Sequence, residues 1–346
     1  MTTNELLQRL EGFPQAKLGN FPTPLEKWER LGKHLGHAGA IYGKREDLTG
    51  LAFGGNKTRQ LEFLLGDALE KGADTIVHGG AVQSNYSRTL AAACAKLGLR
   101  CHLVLSTAYG QPLDTGNFLL DRLSGAHIEL TDIPLGEKYE RRKQKLADEI
   151  RRKGGKPYLI TYPRSEILGT LAYIKGGIEL YEQCRQLPMM PSVLALAAVG
   201  STQSGLLLAS RLLGWDLQVI GFSPLRDEFP VVETLKNSIV EAAKLLNVPC
   251  PPLEKEIISL TDYVGEGYGK MTAAGYHAIR LTAQTEGVFL DPVYNGKAAS
   301  GLFDLLTRGS IETQANVVFV HTGGNIALFA YNREILEYLD REDGGK

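Results

Sequence analysis

Lys57 is the residue whose position in the sequence most directly suggests chemistry. It follows Gly54, Gly55 and Asn56 and precedes a helical pattern over residues 60–65. An ammonium group at the start of a helix lies beside the positive end of the helix dipole, which lowers the pKa of that group. A lysine with a lowered pKa is a better nucleophile. The turn therefore predicts a reactive amine.

A second glycine turn, residues 79–86, leaves a predicted strand and enters a predicted helix. Its Ser84 and Asn85 offer a hydroxyl and an amide next to the exposed backbone N–H groups of a helix start. These groups suit an anion such as a carboxylate. Another turn of this kind, residues 321–325, precedes a helical pattern over residues 326–336.

The turn at residues 199–205 lies between a buried apolar run and an apolar helix. Its small residues allow backbone N–H groups and two hydroxyls to converge on a phosphate. Each turn alone is more often an ordinary helix cap than a ligand loop. Together, a phosphate loop, a carboxylate loop and a lysine at a helix start are what a pyridoxal 5'-phosphate site needs, because that cofactor supplies the electron sink itself.

Two other classes of function compete with this interpretation. Residues 50–58 nearly match the P-loop of nucleotide-binding phosphotransferases, but Asn56 separates the last glycine from Lys57 and no apolar strand precedes Gly50. These departures disfavour a P-loop. A protein that only binds amino acids is the third class, and it would not need Lys57.

Short apolar runs alternate with amphipathic helical stretches, which predicts parallel sheets with crossover helices. Residues 57–162 are expected to form a small α/β domain inserted into a larger domain made of residues 1–56 and 163–346. The predicted strands are residues 75–78, 102–105, 127–130, 158–161, 193–199, 219–222 and 317–321. Ligands of open α/β sheets bind beyond the carboxyl ends of the strands, where the glycine turns should gather.

The composition is that of an ordinary globular protein, with 43% hydrophobic and 22% charged residues and a formal net charge of -1. Such a balance disfavours nucleic acid or an acidic membrane as the partner. The mixed charges of residues 137–156 are typical of a solvated helix face. The polar N-terminal stretch predicts a cytoplasmic protein. The cysteines lack metal-ligand spacing, so no metal is expected, and we interpret them as reduced core thiols: Cys94, Cys101, Cys184 and Cys250.

Over most of its length the chain resembles the family of 1-aminocyclopropane-1-carboxylate deaminases and D-cysteine desulfhydrases, within the fold type II pyridoxal-phosphate enzymes. The motifs that carry the resemblance are KRED at 44–47, GLAFGGNKTR at 50–59, GGAVQSNYSR at 79–88, EGYG at 266–269, DPVYNGKA at 291–298 and HTGG at 321–324. The resemblance implies an α/β fold of two open, twisted, mostly parallel sheets with helices on both faces. It also implies a homodimer.

The resemblance also implies roles for individual residues. Lys57 is expected to hold the cofactor as a Schiff base, Asn85 to meet the hydroxyl of its ring and Ser84 to meet the substrate carboxylate. Tyr268 and Tyr294 match two active-site tyrosines, although ordinary half-buried packing is the alternative for both. The expected phosphate cradle consists of Val199, Gly200, Ser201 and Thr202.

Two departures from the deaminase pattern bear on the substrate. Asn295 stands where cyclopropane deaminases typically carry Glu near the ring nitrogen, and Thr322 stands where they tend to have Leu. Neutral partners leave that nitrogen closer to unprotonated, which weakens the electron sink. A weak sink suits β-elimination, where a leaving group departs. We therefore expect a D-cysteine desulfhydrase that forms pyruvate, ammonia and sulfide, with cyclopropane deamination as the alternative.

Arg164 leaves a further alternative open. It lies in a segment, residues 162–165, that lacks the glycine-rich turn usual in the family. Inside the pocket, its guanidinium could pair with an acidic substrate such as cysteate. On the surface, where arginine is more common, it would have no such role.

Overall fold

The computed structural model describes residues 1–197, 200–225, 230–253 and 255–343. Within these residues the helices are α1 (Thr3–Glu11), α2 (Glu29–His34), α3 (Lys57–Glu70), α4 (Asn85–Leu97), α5 (Gly116–Leu123), α6 (Glu137–Arg152), α7 (Arg164–Cys184), α8 (Ser201–Leu212), α9 (Val231–Leu246), α10 (Ala273–Glu286), α11 (Asn295–Thr307), α12 (Ala327–Ala330) and α13 (Asn332–Asp343). The strands are β1 (Leu25–Lys27), β2 (Ile41–Arg45), β3 (Thr75–Ala81), β4 (Arg100–Ser106), β5 (His127–Thr131), β6 (Pro157–Leu159), β7 (Val193–Ala197), β8 (Gln218–Phe222), β9 (Ile258–Leu260) and β10 (Val317–His321).

The strands form two sheets. A six-stranded sheet has the order β1-β2-β10-β7-β8-β9, and a four-stranded sheet has the order β5-β4-β3-β6. All neighbouring strands pair in parallel except β1 and β2, which are antiparallel. The predicted α/β fold of two mostly parallel sheets is therefore confirmed.

Helices α3 and α7 pack against each other in a hydrophobic core that they share with strands of both sheets. One hydrophobic cluster includes Leu103 of β4, Leu61 of α3, Leu171 of α7 and Leu194 of β7, all without solvent exposure. Helix α7 packs against both α3 and α8. This continuous core fixes the start of α3, where Lys57 lies, against the start of α8.

Three strands were not predicted from the sequence. Strands β1 and β9 have only three residues each. Strand β2 contains two charged residues and a glycine, yet Lys44 is only 2% exposed and bonds Glu179 of α7 at 2.5 Å. Gly43 of the same strand packs on the ring of Trp28, where a Cβ would collide. A buried strand that ends at Arg45 thus precedes Gly50, although two of its five residues are charged.

Two smaller expectations also need correction. The helix predicted over residues 326–336 is interrupted at Tyr331, whose hydroxyl donates to the carbonyl of Gly269 at 2.6 Å. Cys250 is exposed and is not a core thiol, whereas the other three cysteines are buried and free. No helix in the described part of the chain is long and apolar enough to cross a bilayer.

Candidate active site

A cleft opens where several strand ends and helix starts meet. It encloses about 690 Å³ of empty space, counting its open mouth. The residues that line it lie at the ends of β3, β7 and β10 or at the starts of α3, α7 and α11: Asn56, Lys57, Gln60, Ser84, Asn85, Tyr86, Glu166, Ala197, Gly200, Ser201, Thr202, Tyr294, Thr322 and Gly323. The glycine turns identified in the sequence thus converge at one place, as parallel strands require.

Lys57 is the first residue of α3 and is partly buried in this cleft. Burial lowers the pKa of its amine, whereas the nearby carboxylate of Glu166 raises it. The Nζ atom lies 5.8 Å from the centroid of the Tyr86 ring. The net lowering of the pKa leaves more of the amine neutral, which is the form that attacks a carbonyl and accepts a proton.

The glycine turn that precedes Lys57 is in contact with the glycine turn that follows β10. The backbone N–H of Asn56 donates to the carbonyl of Thr322 at 2.9 Å. A Cβ added at Gly323, whose φ is +89°, would lie 2.5 Å from the Cα of Gly55. Only glycine permits both this backbone conformation and this approach. The glycines therefore fix the lysine relative to the end of β10.

Ser84 and Asn85 start α4 with their free hydrogen-bonding groups available to a ligand. The Ser84 hydroxyl oxygen accepts from the N–H of Ser87 at 3.1 Å as the helix cap, so its O–H proton can still be donated. The amide oxygen of Asn85 accepts from Asn117 at 2.9 Å and from Arg88 at 3.3 Å. The amide nitrogen of Asn85 is thus the atom that can serve a ligand, and it can only donate.

The start of α8 carries the donors expected of a phosphate cradle. Ser201 and Thr202 are its first two residues, and Gly200 precedes them. The hydroxyl oxygen of Thr202 accepts from the amide of Asn56 at 3.0 Å and from that of Gln60 at 3.1 Å. With both lone pairs occupied, the Thr202 hydroxyl is left to donate its own proton. Val199, the remaining predicted cradle residue, lies outside the described residues.

Tyr268 and Tyr294 form a hydrogen-bonded pair beside the cleft. Their hydroxyl oxygens are 2.6 Å apart, and Tyr294 is the member that lines the cleft. Burial raises the pKa of both phenols. Both hydroxyls therefore stay protonated at neutral pH, and the pair can deliver or relay a proton rather than act as a base.

Asn295 has a different environment from the one predicted for a ring partner. It has no exposed surface, and its amide nitrogen donates to Asp291 and to the carbonyl of Gly323, both at 2.7 Å. Its amide oxygen accepts from the N–H of Thr322 at 3.0 Å and from the Thr322 hydroxyl at 3.1 Å. All four hydrogen bonds of the amide are thus made within the protein. Thr322 lines the cleft, and Asn295 positions it.

Arg164 does not line the cleft. Its guanidinium makes two hydrogen bonds to the carboxylate of Asp67, one of them from Nε at 3.1 Å, and half of its side chain is exposed. The hydroxyl of Tyr158 donates to the same carboxylate at 2.5 Å. The arginine is therefore held by this ion pair at the start of α7, away from the ligand groups.

Sequence reasoning assigned no site role to six residues that line the cleft, and three of them bring polar side chains close to the start of α8: Asn56, Gln60 and Glu166. Asn56 was interpreted only as an insertion in a P-loop. Gln60 follows Lys57 by three residues, a helical spacing that could have placed both on one face. For Glu166 the sequence offers no comparable signal, because its neighbour Ser201 lies 35 residues further along the chain.

Comparisons with known proteins give a consistent result. Residues 16–323 match the family described as pyridoxal-phosphate dependent enzymes. The chain is 39% identical to D-cysteine desulfhydrase of Klebsiella pneumoniae over 94% of its own length and 98% of that protein. It is 38% identical to D-cysteine desulfhydrase of Salmonella typhi over 95% and 99%. The crystal structure of an ACC deaminase homologue superimposes with a TM-score of 0.87 at 36% identity, covering 96% of this chain and 98% of that one.

Proposed function

The chain belongs to the family of pyridoxal-phosphate-dependent enzymes, and on that premise we propose that it removes the β-substituent of a small amino acid, with D-cysteine as the preferred substrate. The products are pyruvate, ammonia and sulfide. The observation that carries the proposal is the position of Lys57. Its partly buried amine, with a lowered pKa, lines the same cleft as the donor-rich start of α8 and the helix start formed by Ser84 and Asn85.

The residues of the cleft fit the cofactor of the family. Donors at the start of α8, including the Thr202 hydroxyl, would hold its phosphate. Asn85 would donate to the oxygen on its ring, Thr322 would face its ring nitrogen, and Lys57 would form the covalent attachment. When bound, the cofactor supplies an electron sink that stabilises negative charge at the α-carbon of the substrate.

The proposed elimination assigns one task to each group of this chain. Ser84 and the start of α4 hold the substrate carboxylate. The Nζ of Lys57 takes the proton from the α-carbon, a double bond forms between the α- and β-carbons, and the sulfur departs with the electron pair of the carbon–sulfur bond. The Tyr268–Tyr294 pair supplies the proton that the departing sulfur needs. The released 2-aminoacrylate reacts with water to give pyruvate and ammonia.

Thr322 supports elimination over ring opening. Its hydroxyl donates to the amide oxygen of Asn295, so it can offer only a lone pair to a ring nitrogen. A neutral oxygen stabilises a protonated ring much less than a carboxylate does. The resulting weaker sink suits a substrate with a good leaving group. Deamination of 1-aminocyclopropane-1-carboxylate is the second candidate, favoured by the likeness to the ACC deaminase homologue. The pairing of Arg164 with Asp67 disfavours cysteate.

A substrate panel tests the proposal. Purified enzyme is incubated with D- and L-cysteine, β-chloroalanine, D-serine, cysteate and 1-aminocyclopropane-1-carboxylate, and keto-acid release is measured with Lys57→Ala as the inactive control. D-Cysteine should give the highest kcat/KM, with one sulfide released per pyruvate. Efficient release of 2-oxobutanoate from the cyclopropane substrate, with none from β-substituted amino acids, would show that the argument from Thr322 is wrong.

We also propose that the enzyme is a cytoplasmic homodimer. The family resemblance supports the dimer, and buried free thiols such as Cys94 and Cys184 are typical of a reducing compartment. Light scattering of the purified protein would measure its mass in solution and so test whether it is a dimer.

A further inference from the structure

Glu166 brings a negative charge to the proposed phosphate cradle. It lies in the first turn of α7, and its carboxylate accepts from the backbone N–H of Ser201, the first residue of α8, at 2.8 Å. The same carboxylate packs on Gly200, where an added Cβ would collide with its Oε2. The carboxylate therefore occupies the position at the start of α8 where an anion is most strongly attracted.

The groups around this carboxylate do not supply enough positive charge to neutralise a second anion beside it. Thr202 of the cradle is neutral, as are Asn56 and Gln60, whose amides donate to it, and all three line the same cleft. Among the described residues that line it, Lys57 is the one basic side chain. Its amine is the proposed attachment point of the cofactor. A phosphate bound at the N–H of Ser201 would therefore lie next to the negative charge of Glu166, which accepts from the same N–H group.

We propose that Glu166 and the cofactor phosphate compete for the start of α8, so that Glu166 weakens and thereby sets the affinity for pyridoxal phosphate. The inference rests on the proposed position of the phosphate. To admit the phosphate, the carboxylate must give up its hydrogen bond to Ser201 and turn away, and this change costs more free energy for a charged side chain than for a neutral one. In the absence of phosphate, the carboxylate satisfies an N–H group that would otherwise lack a partner.

The variant Glu166→Gln tests the competition, because glutamine keeps the size and the acceptor oxygen but removes the charge. Cofactor-free protein is titrated with pyridoxal 5'-phosphate, and binding is followed by the visible absorbance of the lysine-bound cofactor. The variant should bind at least tenfold more tightly than the native chain. Pyridoxal, which lacks the phosphate, should bind both with the same affinity.

Glu182→Gln is the matched control. Glu182 lies on the same helix, is 41% exposed and pairs with Arg185 at 3.5 Å. This change should leave the affinity for both ligands as it is in the native chain. An unchanged affinity of Glu166→Gln for pyridoxal phosphate would overturn the inference. An equal gain for pyridoxal would overturn it too, since the charge would then act on the amine of Lys57.

Inorganic phosphate provides a second readout that does not depend on Lys57. It should raise the Tm of cofactor-free Glu166→Gln more than that of the native chain. If no variant develops visible absorbance, the proposed attachment at Lys57 fails, and the phosphate-dependent Tm still decides the competition. An equal Tm shift in both proteins would then count against it.

Discussion

At the scale of single residues, the hydrogen bonds that a side chain already makes within the protein decide whether it can still donate to a ligand or accept from one. Thr202 accepts from two amides and so must donate, whereas Thr322 donates to Asn295 and so must accept. These two hydroxyls, alike in sequence, therefore present opposite polarity to a ligand. The same reasoning makes the Asn85 amide nitrogen a donor.

Replacing Lys57 by alanine should remove the covalent attachment and the base together. We expect the visible absorbance to disappear and kcat/KM to fall by more than about 10³-fold, since the reaction loses both covalent and acid–base catalysis. Circular dichroism should remain native, because the lysine is only partly buried. Lys145→Ala, on the exposed face of α6, serves as the control and should retain both properties. An unchanged absorbance in Lys57→Ala would contradict the assignment.

The tyrosine pair leads to a prediction about pH. Because burial raises the pKa of both Tyr268 and Tyr294, neither phenol should ionise below pH 10, the usual range for tyrosine. Activity should therefore show no alkaline loss from this pair under pH 10. Tyr268→Phe removes the partner of Tyr294 and should lower kcat about tenfold to a hundredfold while leaving the bound cofactor in place. A pH profile and a spectrum of each protein check this, and an unaltered kcat would limit Tyr268 to packing.

At the scale of elements, a buried charge network anchors α3. Glu46, which follows β2, bonds Arg59 of α3 at 2.6 and 2.9 Å and accepts from Tyr173 of α7 at 2.9 Å. Glu179 of α7 bonds both Arg59 at 2.8 Å and Lys44 at 2.5 Å. The network joins three elements without a net charge. The charged KRED motif that precedes the glycine turn therefore has a structural role, because it holds the first turn of α3 in place.

Glu46→Gln should destabilise the fold by about 3–5 kcal/mol, the usual effect of breaking a buried ion pair. Burial alone would raise the pKa of Glu46, but the charge and hydrogen bonds of Arg59 bring it down from 4.5 to about 2. The carboxylate thus contributes its full stability above pH 4.5 and loses it as the pH falls toward 2. The native chain and the variant are unfolded in urea at several pH values. The difference between their free energies of unfolding should shrink as the pH falls from 4.5 to 2.

Glu241→Gln is the control for this measurement. Glu241 is 46% exposed and pairs with Lys244 at 2.6 Å on the surface of α9. Such surface pairs contribute less than about 1 kcal/mol. A difference for Glu46→Gln that stayed constant from pH 7 to pH 2 would contradict the buried-network interpretation.

At the scale of the whole molecule, the cleft joins segments that follow strands of both sheets. Ser84 and Asn85 come after β3 of the four-stranded sheet, whereas Ser201 and Thr322 come after β7 and β10 of the six-stranded sheet. A ligand that contacts all of these segments binds the folded chain and not the unfolded one. Binding must therefore stabilise the fold as a whole.

Saturation with pyridoxal phosphate should raise the free energy of unfolding. At a free concentration one hundred times the Kd, the gain is about 2.7 kcal/mol. Chemical denaturation of cofactor-free and cofactor-loaded protein, followed by intrinsic fluorescence, measures it. Lys57→Ala should lose most of the gain, whereas Lys145→Ala should keep it. Equal stability with and without cofactor would count against a site built from both sheets.

The sequence by itself determined the features that depend on contiguous residues. The glycine turns, the helix that begins at Lys57 and seven of the described strands follow from local hydrophobic periodicity and turn chemistry. These signals, with the family resemblance, were enough to predict the fold and the cofactor, which the sheets and the family match confirm. The domain division at residues 57–162 and the individual site roles stay predictions.

Only the tertiary structure decided what depends on partners distant in the chain. Strand β2 contains Lys44, which is buried because Glu179, 135 residues away, neutralises it. Asn295 was predicted to face the ring, but Gly323 and Thr322 complete its hydrogen bonds and make it a support for Thr322. Burial and hydrogen-bond satisfaction are set by the neighbours that folding brings together, and a linear pattern does not contain them.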